Sequence, residues 1–239
     1  MTTMNQPEAW DAEYRRGGIP SSVRDDPSGV LLWTLSNWLY LTGKRQPNDV
    51  IDVGCGTGRN ATYIASLGAS VMGFDFSSEA IRVAHKRSAD LEDGLRPVFV
   101  RQDLSVGIPA SDAGTDLITD IFVYKHQLDA RARADYRREL RRVLRPEGKL
   151  LMSFADVTDD YYSRCPTYEP PGADTSRNPL TIIDMPILIG SVLFRIEDII
   201  KEMSDTFRLE MSWHKEKTGM MHGELHLRRT VASIWSPIR

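Results

Sequence analysis

The sequence predicts an α/β fold with a doubly wound, seven-stranded sheet, mostly parallel, that ends in an antiparallel C-terminal hairpin. Three observations predict it. Short β-branched runs alternate with helical stretches between residues 49 and 155, glycines follow the first run, and two long strand-like segments close the chain. Strands that alternate with helices at this spacing form βαβ units, whose right-handed crossovers build a parallel sheet covered on both faces.

The order of elements follows from their start and stop residues. Glycines end the first two core helices, and Pro146 with Gly148 is expected to end the last. The least regular stretch, residues 158–179, is rich in Tyr, Pro, Asp and Ser and predicts a lid or insertion. The predicted strands are 49–54, 70–75, 97–103, 116–123, 149–154, 207–215 and 224–235. The predicted helices are 7–16, 28–41, 59–67, 78–93, 129–144 and 195–204.

The length of 239 residues lies below the size, roughly 250–300 residues, at which one hydrophobic core usually divides. We therefore expect a single domain over residues 1–239. Its expected parts are an N-terminal helical cap (1–48), a core (49–155), a lid (156–190) and a C-terminal helix with a hairpin (191–239).

Composition bounds the partners and the compartment. A net charge of −3 and a pI near 6.0 give no general attraction to nucleic acids or anionic membranes. Cys55 and Cys165 are too few for a disulfide framework, which favours the reducing cytoplasm. Residues 1–8 do not resemble a signal peptide, and no apolar run has the length of a membrane span. We expect neither nucleic acid nor membrane as a partner, and the oligomeric state stays open.

A glycine-rich run joins the first strand to the helix that follows it. Gly54, Gly56 and Gly58 lie there, and positions without side chains allow a ligand to rest against the backbone. The next strand ends at Asp75, whose carboxylate can accept hydrogen bonds from both hydroxyls of a ribose. If the three glycines formed only a tight structural turn, the acid at the end of the next strand would have no explanation. The sequence therefore predicts an adenosine-containing ligand.

The spacing of the glycines leaves two cofactors open. Counted from Gly54, the third glycine of a dinucleotide fingerprint falls at Arg59, which does not fit. Counted from Gly56, Ala61 completes the Gly-x-Gly-x-x-Ala form. An NAD(P)-binding oxidoreductase is therefore the alternative.

Several motifs in order resemble those of class I S-adenosylmethionine-dependent methyltransferases of the small-molecule type. The resemblance covers about residues 49–154 and implies a Rossmann-like methyltransferase fold, with residues 49–155 as the cofactor-binding core and S-adenosylmethionine as the cofactor. The segments that carry it are Asp52-Val-Gly-Cys-Gly-Thr-Gly58 (motif I), Gly73-Phe-Asp-Phe-Ser77, Arg101-Gln-Asp-Leu104, Asp116-Leu-Ile-Thr-Asp-Ile-Phe122 and the helix, Pro-x-Gly turn and strand of residues 140–152.

The resemblance implies particular cofactor contacts. Asp75 would hold the ribose and Asp103 the adenine amino group, unless Asp103 only begins a turn. Residues 10–14, with Gly17 and Gly18, resemble the N-terminal segment of thiopurine and tellurite-resistance methyltransferases, which implies that Trp10 and Tyr14 close over the cofactor. The expected cofactor-binding residues are Tyr14, Asp52, Gly54, Cys55, Gly56, Asn60, Asp75, Phe76, Asp103, Leu104 and Asp120.

The expected acceptor site lies beyond the carboxyl ends of the strands, where Tyr124, Lys125 and His126 follow the fourth strand. Methyl transfer from a sulfonium needs mainly alignment, and a base only for protonated acceptors. His126 is the candidate base because the ordinary histidine pKa is near 6.5. A solvated or helix-capping histidine is the alternative. Tyr124 is an expected substrate contact.

The C-terminal hairpin supplies two further expected substrate contacts, His222 on its connection and Arg229 on its second strand. Arg229 shares a strand phase with Val231 and is therefore expected to point inward. Its partner would be either a substrate carboxylate or an internal acid. The seven arginines of residues 131–145 predict a solvated helix face, and His226 is expected on the solvated side of the hairpin.

The motifs that are missing narrow the chemistry. The fourth strand continues into Ile-Phe-Val and has no Asn/Asp-Pro-Pro-aromatic motif of base methyltransferases, and no His/Cys group has a metal-ligand spacing. We therefore expect no metal, and in-line methyl transfer to an O, N or S atom of a small-molecule metabolite. A regulatory protein that binds S-adenosylmethionine without turnover is a further alternative.

Overall fold

A computed structural model describes residues 6–17, 19 and 24–238; Gly18, part of the N-terminal resemblance, lies outside them. The helices are α1 (Gln6–Arg16), α2 (Gly29–Thr42), α3 (Arg59–Ser66), α4 (Ser78–Arg87), α5 (Ala130–Val143) and α6 (Ile196–Met203). The strands are β1 (Asp49–Val53), β2 (Ser70–Asp75), β3 (Val98–Arg101), β4 (Thr115–Ile121), β5 (Leu144–Ala155), β6 (Leu180–Asp184), β7 (Ile189–Leu193), β8 (Phe207–Met221) and β9 (Glu224–Pro237).

The main sheet has seven strands in the order β3-β2-β1-β4-β5-β9-β8. Strands β1 to β5 pair in parallel, and β9 is antiparallel to both β5 and β8. The predicted fold class is confirmed. The strand order reverses between β1 and β4, the kind of switch point where open α/β sheets bind ligands. None of the helices in the described part of the chain is long and apolar enough to cross a bilayer.

Both faces of the sheet are buried, which explains why its central strands are continuous apolar runs rather than alternating ones. On one face Val50, Leu117 and Leu151 pack with residues of α2 and α3. On the other, Ile118 and Leu150 pack with residues of α5 and α6. Apolar residues of the strands thus hold the helices on both faces. The carboxyl ends of β1, β2 and β4 lie together at one edge of the sheet.

Three predicted elements differ from the observed ones. Helix α4 ends at Arg87 and not at residue 93, because Ser88 forms its C-terminal cap. Strand β5 begins at Leu144, so that Pro146 and Gly148 lie within a strand. An irregular register with β4 accommodates this early start, since Leu144 pairs with Thr115. The predicted lid (156–190) contains β6 and the start of β7, an antiparallel pair that was not predicted.

The C-terminal hairpin is longer than predicted and is closed by a two-residue turn. His222 and Gly223 both have positive φ, 47° and 89°, as in the turns whose twist matches antiparallel strands. Strand β5 pairs with β9 only from Thr230 to Trp235, so the first part of β9 extends beyond β5. The first part of β9 is therefore held by β8 and by the lid, and not by β5.

The solvated face expected for α5 needs a correction. Arg133 and Arg137 are buried, and both form ion pairs with Glu202 of α6, at 2.6 and 3.0 Å. Glu202 also accepts a hydrogen bond from the Tyr124 hydroxyl at 2.7 Å. Because the compensating acid lies far along the chain, the apolar stripe of α5 did not reveal these two arginines as core residues.

Candidate functional site

A cavity of about 840 Å³ opens at the carboxyl ends of β1, β2 and β4, under α1, the lid and the β8–β9 hairpin. Its "loop half" is lined by the glycine run with Asp52, Asp75, Phe76, Asp103 and Leu104. Its "distal half" is lined by Phe122, Lys125, His126, Tyr162, Asp184, Ile187, Ile189, Met221 and Arg228. The cavity therefore joins the predicted ligand loop to a second chamber.

Backbone geometry explains two of the loop glycines. Gly54 and Gly56 have φ of 57° and 54°, in the left-handed region that favours glycine. A Cβ on Gly54 would lie 2.3 Å from a methyl of Val123, and one on Gly56 would lie 2.9 Å from the Tyr14 hydroxyl. Both positions thus exclude side chains and keep the loop backbone in the cavity wall.

Asp75 ends β2 with its carboxylate against this loop. One oxygen accepts a hydrogen bond from Gly56 N, and the other from Ser77 N, both at 2.9 Å. Burial nevertheless raises the pKa of Asp75 to about 6, while these backbone hydrogen bonds act to lower it. A carboxylate oxygen can accept more than one donor, so Asp75 keeps capacity for ligand hydroxyls.

Asp52, in β1, has one satisfied oxygen and one that is not. Its Oδ1 accepts from the Thr119 hydroxyl at 2.5 Å, whereas its buried Oδ2 has no partner among the described residues. Burial raises the pKa of Asp52 to about 7. A buried acceptor without a donor is costly. The backbone of Ala61 acts to lower the pKa of Asp52, and the Asp52 residue also lines the cavity.

Helix α1 forms a roof over the loop half. Trp10 and Tyr14 line the cavity with ring centroids 5.8 Å apart. Asp11 fixes the helix, because its carboxylate accepts hydrogen bonds from the Ser77 hydroxyl and from Glu79 N at the start of α4. The roof is thereby tied to the residues that directly follow Asp75.

The segment after β4 carries His126 into the distal half. The Nδ1 atom of His126 lies 2.9 Å from the Gly190 carbonyl, which can only accept, so Nδ1 holds the proton and Nε2 the lone pair. Burial, together with the charge of Lys125, lowers the pKa of His126 to about 3. His126 is therefore neutral at neutral pH. The rings of Trp10 and His126 lie nearly perpendicular to each other, with their centroids 5.3 Å apart.

Comparison with known proteins decides the family. Residues 50–148 match the model of the family described as a methyltransferase domain. Residues 50–148 therefore form a methyltransferase domain, and the match supports the class I S-adenosylmethionine-dependent methyltransferase family. The family prediction is confirmed, and this methyltransferase family uses S-adenosylmethionine rather than a nicotinamide.

Two curated relatives are similar to part of this chain. A probable S-adenosylmethionine-dependent methyltransferase of Mycolicibacterium smegmatis is 30% identical over 157 residues, 64% of this chain and 54% of that protein. A ubiquinone biosynthesis O-methyltransferase of Xanthomonas euvesicatoria is 32% identical over 149 residues, 62% of this chain and 56% of that protein. The chain thus spans about half the length of these curated relatives.

A solved structure shows the same fold over most of this chain. The 1,6-didemethyltoxoflavin-N1-methyltransferase of Burkholderia thailandensis, with bound 1,6-didemethyltoxoflavin and S-adenosylhomocysteine, superposes with a TM-score of 0.63. The two chains are 18% identical, and the alignment covers 95% of this chain and 86% of the other. At this identity the similarity concerns the fold alone.

Ten of the residues expected to bind the cofactor line the cavity, and their role stays a prediction. Asn60 has a second task, since its side-chain oxygen accepts from Ser28 N at 2.8 Å and holds the start of α2. Asp103 also caps a turn by accepting from Ser105 N at 2.9 Å. The ten are Tyr14, Asp52, Gly54, Cys55, Gly56, Asn60, Asp75, Phe76, Asp103 and Leu104.

Asp120 and Tyr124 lie behind the cavity wall instead of in it. Asp120 accepts hydrogen bonds from Val123 N at 3.2 Å, Tyr124 N at 3.0 Å and the Tyr136 hydroxyl at 2.9 Å. The ring of Tyr124 is buried, and its hydroxyl donates to Glu202. These two residues hold the segment that carries His126, which corrects the expected direct contacts with cofactor and substrate.

The expected inward position of Arg229 is also corrected. Arg229 is outside the cavity lining, its side chain is 37% exposed, and its Nε donates to Glu216 at 2.6 Å. Arg228 lines the cavity instead. This part of β9 extends beyond β5, so the face that buries Val231 is open to solvent at Arg229, and strand phase alone did not identify the cavity side.

Two histidines of the hairpin contact residues of the lid. His222 lies next to the cavity lining, with Nε2 at 3.4 Å from the Asp184 carboxylate. His226, expected in solvent, is buried with its Nδ1 3.4 Å from Asp160. The sequence analysis did not select Asp184 and Tyr162 as site residues, because only the fold of the lid brings them to the cavity.

We expect the binding of S-adenosylhomocysteine to weaken as the pH falls below about 6. A ligand that donates hydrogen bonds to Asp75 requires the carboxylate, whereas the proton competes for it in the empty site, where its pKa is about 6. The affinity should fall up to about tenfold per pH unit for each such proton. Calorimetry from pH 8 to pH 5 measures this.

The variants Asp75→Asn and Asp52→Asn separate the two acids, since burial raises the pKa of both. If one of these acids takes up the competing proton, its asparagine variant should have a dissociation constant that depends less on pH than that of the parent protein. A dissociation constant that stays the same across this range in the parent protein would contradict the assignment.

Proposed function

We propose that the protein transfers the methyl group of S-adenosylmethionine to an oxygen, nitrogen or sulfur atom of a small molecule bound in the distal half. One observation carries this proposal: a single cavity of about 840 Å³ contains both the glycine loop with Asp75 and a second chamber reached by His126. Ligand sites commonly measure roughly 300–1,000 Å³, so this volume suits two ligands side by side.

The residues of the loop half fit the donor by their chemistry. Asp75 would accept hydrogen bonds from the ribose, Asp52 from the ammonium group, and Asp103 from the adenine amino group. Trp10 and Tyr14 would exclude water from above. When bound, S-adenosylmethionine supplies a methyl group on a positively charged sulfur, an already activated donor.

The protein's own contribution is alignment of the acceptor and, for some acceptors, removal of a proton. Orientation alone supplies up to about 7–11 kcal/mol for well-placed reactants. Burial lowers the pKa of His126 to about 3, so it is a weaker base than an ordinary histidine. Its neutral ring nevertheless keeps a free Nε2 lone pair that would accept a hydrogen bond from an acceptor hydroxyl or amine. We assign this role to His126, in a mechanism without a metal.

We expect His126→Gln to lower kcat by about 10²-fold for acceptors that must lose a proton. Acceptors that are already ionised, such as acidic thiols, should be affected much less, because no proton has to leave them. Formation of S-adenosylhomocysteine, measured for both kinds of acceptor, provides the comparison. His214→Gln is the matched control, since His214 is exposed on β8. An equal loss for both kinds of acceptor would remove His126 as the base.

The proposed function is tested by incubating the protein with methyl-labelled S-adenosylmethionine and fractionated metabolite extracts. A labelled small-molecule product, detected by mass spectrometry and absent with Asp75→Ala, is the expected result. Donor binding without any product would favour the regulatory alternative. A labelled macromolecule would contradict the small-molecule assignment.

A further inference from the structure

Two cationic side chains meet on one aromatic ring in the wall of the distal half. The ammonium group of Lys125 lies 4.0 Å from the centroid of Tyr162, and the guanidinium carbon of Arg228 lies 5.0 Å from the same centroid. Both residues line the cavity. The distal half therefore has a concentrated positive charge at one place.

Lys125 is buried without an acid of its own. It is 2% exposed, and within the described ranges no carboxylate forms an ion pair with it. Its contacts are the rings of Tyr162 and Phe122, the latter at 5.5 Å. Cation–π contacts provide about 2 kcal/mol at best, less than the cost of removing an ammonium group from water. An anion in the cavity would supply the missing compensation.

Arg228 is held so that part of its guanidinium remains available. Its Nε donates to both oxygens of Asp159, at 3.1 and 2.9 Å, and Asp159 also accepts from Arg229 N at 2.8 Å. For the part of the chain that the structure describes, no hydrogen bond is recorded from the terminal nitrogens of Arg228. Asp159 thus fixes the side chain of Arg228, while the outer edge of the Arg228 guanidinium faces the cavity.

The neighbouring wall adds positive charge and apolar surface. The hairpin strands contribute Lys215, Lys217 and Arg228 to the lining, and no acid. Burial, and then the charges of Arg24 and Lys215, lower the pKa of Lys217, which shows how closely these cations are grouped. The facing acid, Asp184, already accepts from the Tyr161 hydroxyl at 2.7 Å.

From this arrangement we infer that Lys125 and Arg228 bind an oxyanion, a carboxylate or a phosphate, carried by an acceptor whose remaining body is apolar. The inference rests on the proposed function, because it describes the acceptor of that reaction. The apolar body would lie against Phe122, Ile187, Ile189 and Met221. The oxyanion would hold the acceptor at one end, so that a second group of the same molecule faces His126.

The test compares benzoate, phenyl phosphate and the neutral benzamide as probes. Their binding to the full chain is measured by calorimetry, with and without saturating S-adenosylhomocysteine. We expect at least one anion to bind about tenfold or more tightly than benzamide, and the preferred anion identifies the source of the oxyanion. Equal binding of the anions and benzamide, or binding of no probe, would overturn the inference.

Variants then assign the preference to these residues. Lys125→Met should remove most of it, and Lys125→Arg should retain it and also serve if the methionine variant does not fold. Arg229→Met is the matched control, because Arg229 pairs with Glu216 outside the cavity. A preference that survives in folded Lys125→Met would contradict the role of Lys125. Absence of S-adenosylhomocysteine binding counts against the proposed function only, since the probes are also compared without it.

Discussion

Replacing Asp75 by alanine is expected to reduce the affinity for S-adenosylhomocysteine by at least about 100-fold. Hydrogen bonds to a charged group contribute about 1.5–3 kcal/mol each, and a ribose offers two hydroxyls to this carboxylate. Two such bonds correspond to about 100-fold or more in the dissociation constant. The same change leaves Gly56 N without its acceptor, which loosens the loop as well. Isothermal calorimetry measures the loss.

Two further variants serve as comparisons for the affinity measured with Asp75→Ala. Asp75→Asn keeps the shape but exchanges one oxygen for a donor, and we expect a loss of affinity close to that of the alanine variant. Asp90→Ala removes an exposed carboxylate shortly after α4 and should bind like the parent protein. Unchanged affinity in a folded Asp75→Ala protein would remove the assigned donor site.

The second large effect concerns the stability of the fold. We expect Glu202→Ala to lower the free energy of unfolding by about 3–5 kcal/mol, the cost of leaving buried charges without their partner. Glu202 compensates Arg133, which is 0% exposed, and Arg137, and it accepts from the hydroxyl of Tyr124. Urea denaturation followed by far-UV circular dichroism measures the change in midpoint.

Glu197→Ala is the matched control for this prediction. Glu197 lies on the same helix, α6, but is exposed, so its removal should change stability by no more than about 0.5 kcal/mol. Because Tyr124 belongs to the segment that carries His126, Glu202→Ala should also reduce turnover more than donor affinity. Equal stability of the two variants would show that the buried arginines do not need Glu202.

The sequence was sufficient for the part of the molecule that local patterns encode. Strand–helix alternation predicted the seven-stranded sheet, and the run Gly54 to Gly58 with Asp75 predicted the loop half. These residues act through their own backbone geometry and their place at a strand end, both of which follow from neighbours in the chain. The same local logic placed His126 at the cavity.

The distal half was not predictable in this way because its parts come from distant segments. In the distal half, Lys125 has no partner that the sequence would indicate. Arg133, outside the cavity, likewise reads as a surface residue until Glu202 folds against it. Tyr162 and Asp184 reach the cavity only through the lid and β6, whose short strands lie among Pro-rich and irregular residues. Long-range pairing, rather than propensity, determines these positions.

The way in which β9 is anchored has an evolutionary consequence. From Thr230 onward β5 fixes its register, whereas the preceding residues are tied mainly to β8. Side chains alternate between faces, so the loss of Arg229 alone would bring Leu227 to the place of Arg228 and Arg228 to that of Arg229. A one-codon deletion in β9 would thus place an apolar side chain where Arg228 meets Tyr162, and homologues could diverge in acceptor preference without altering a single donor-binding residue.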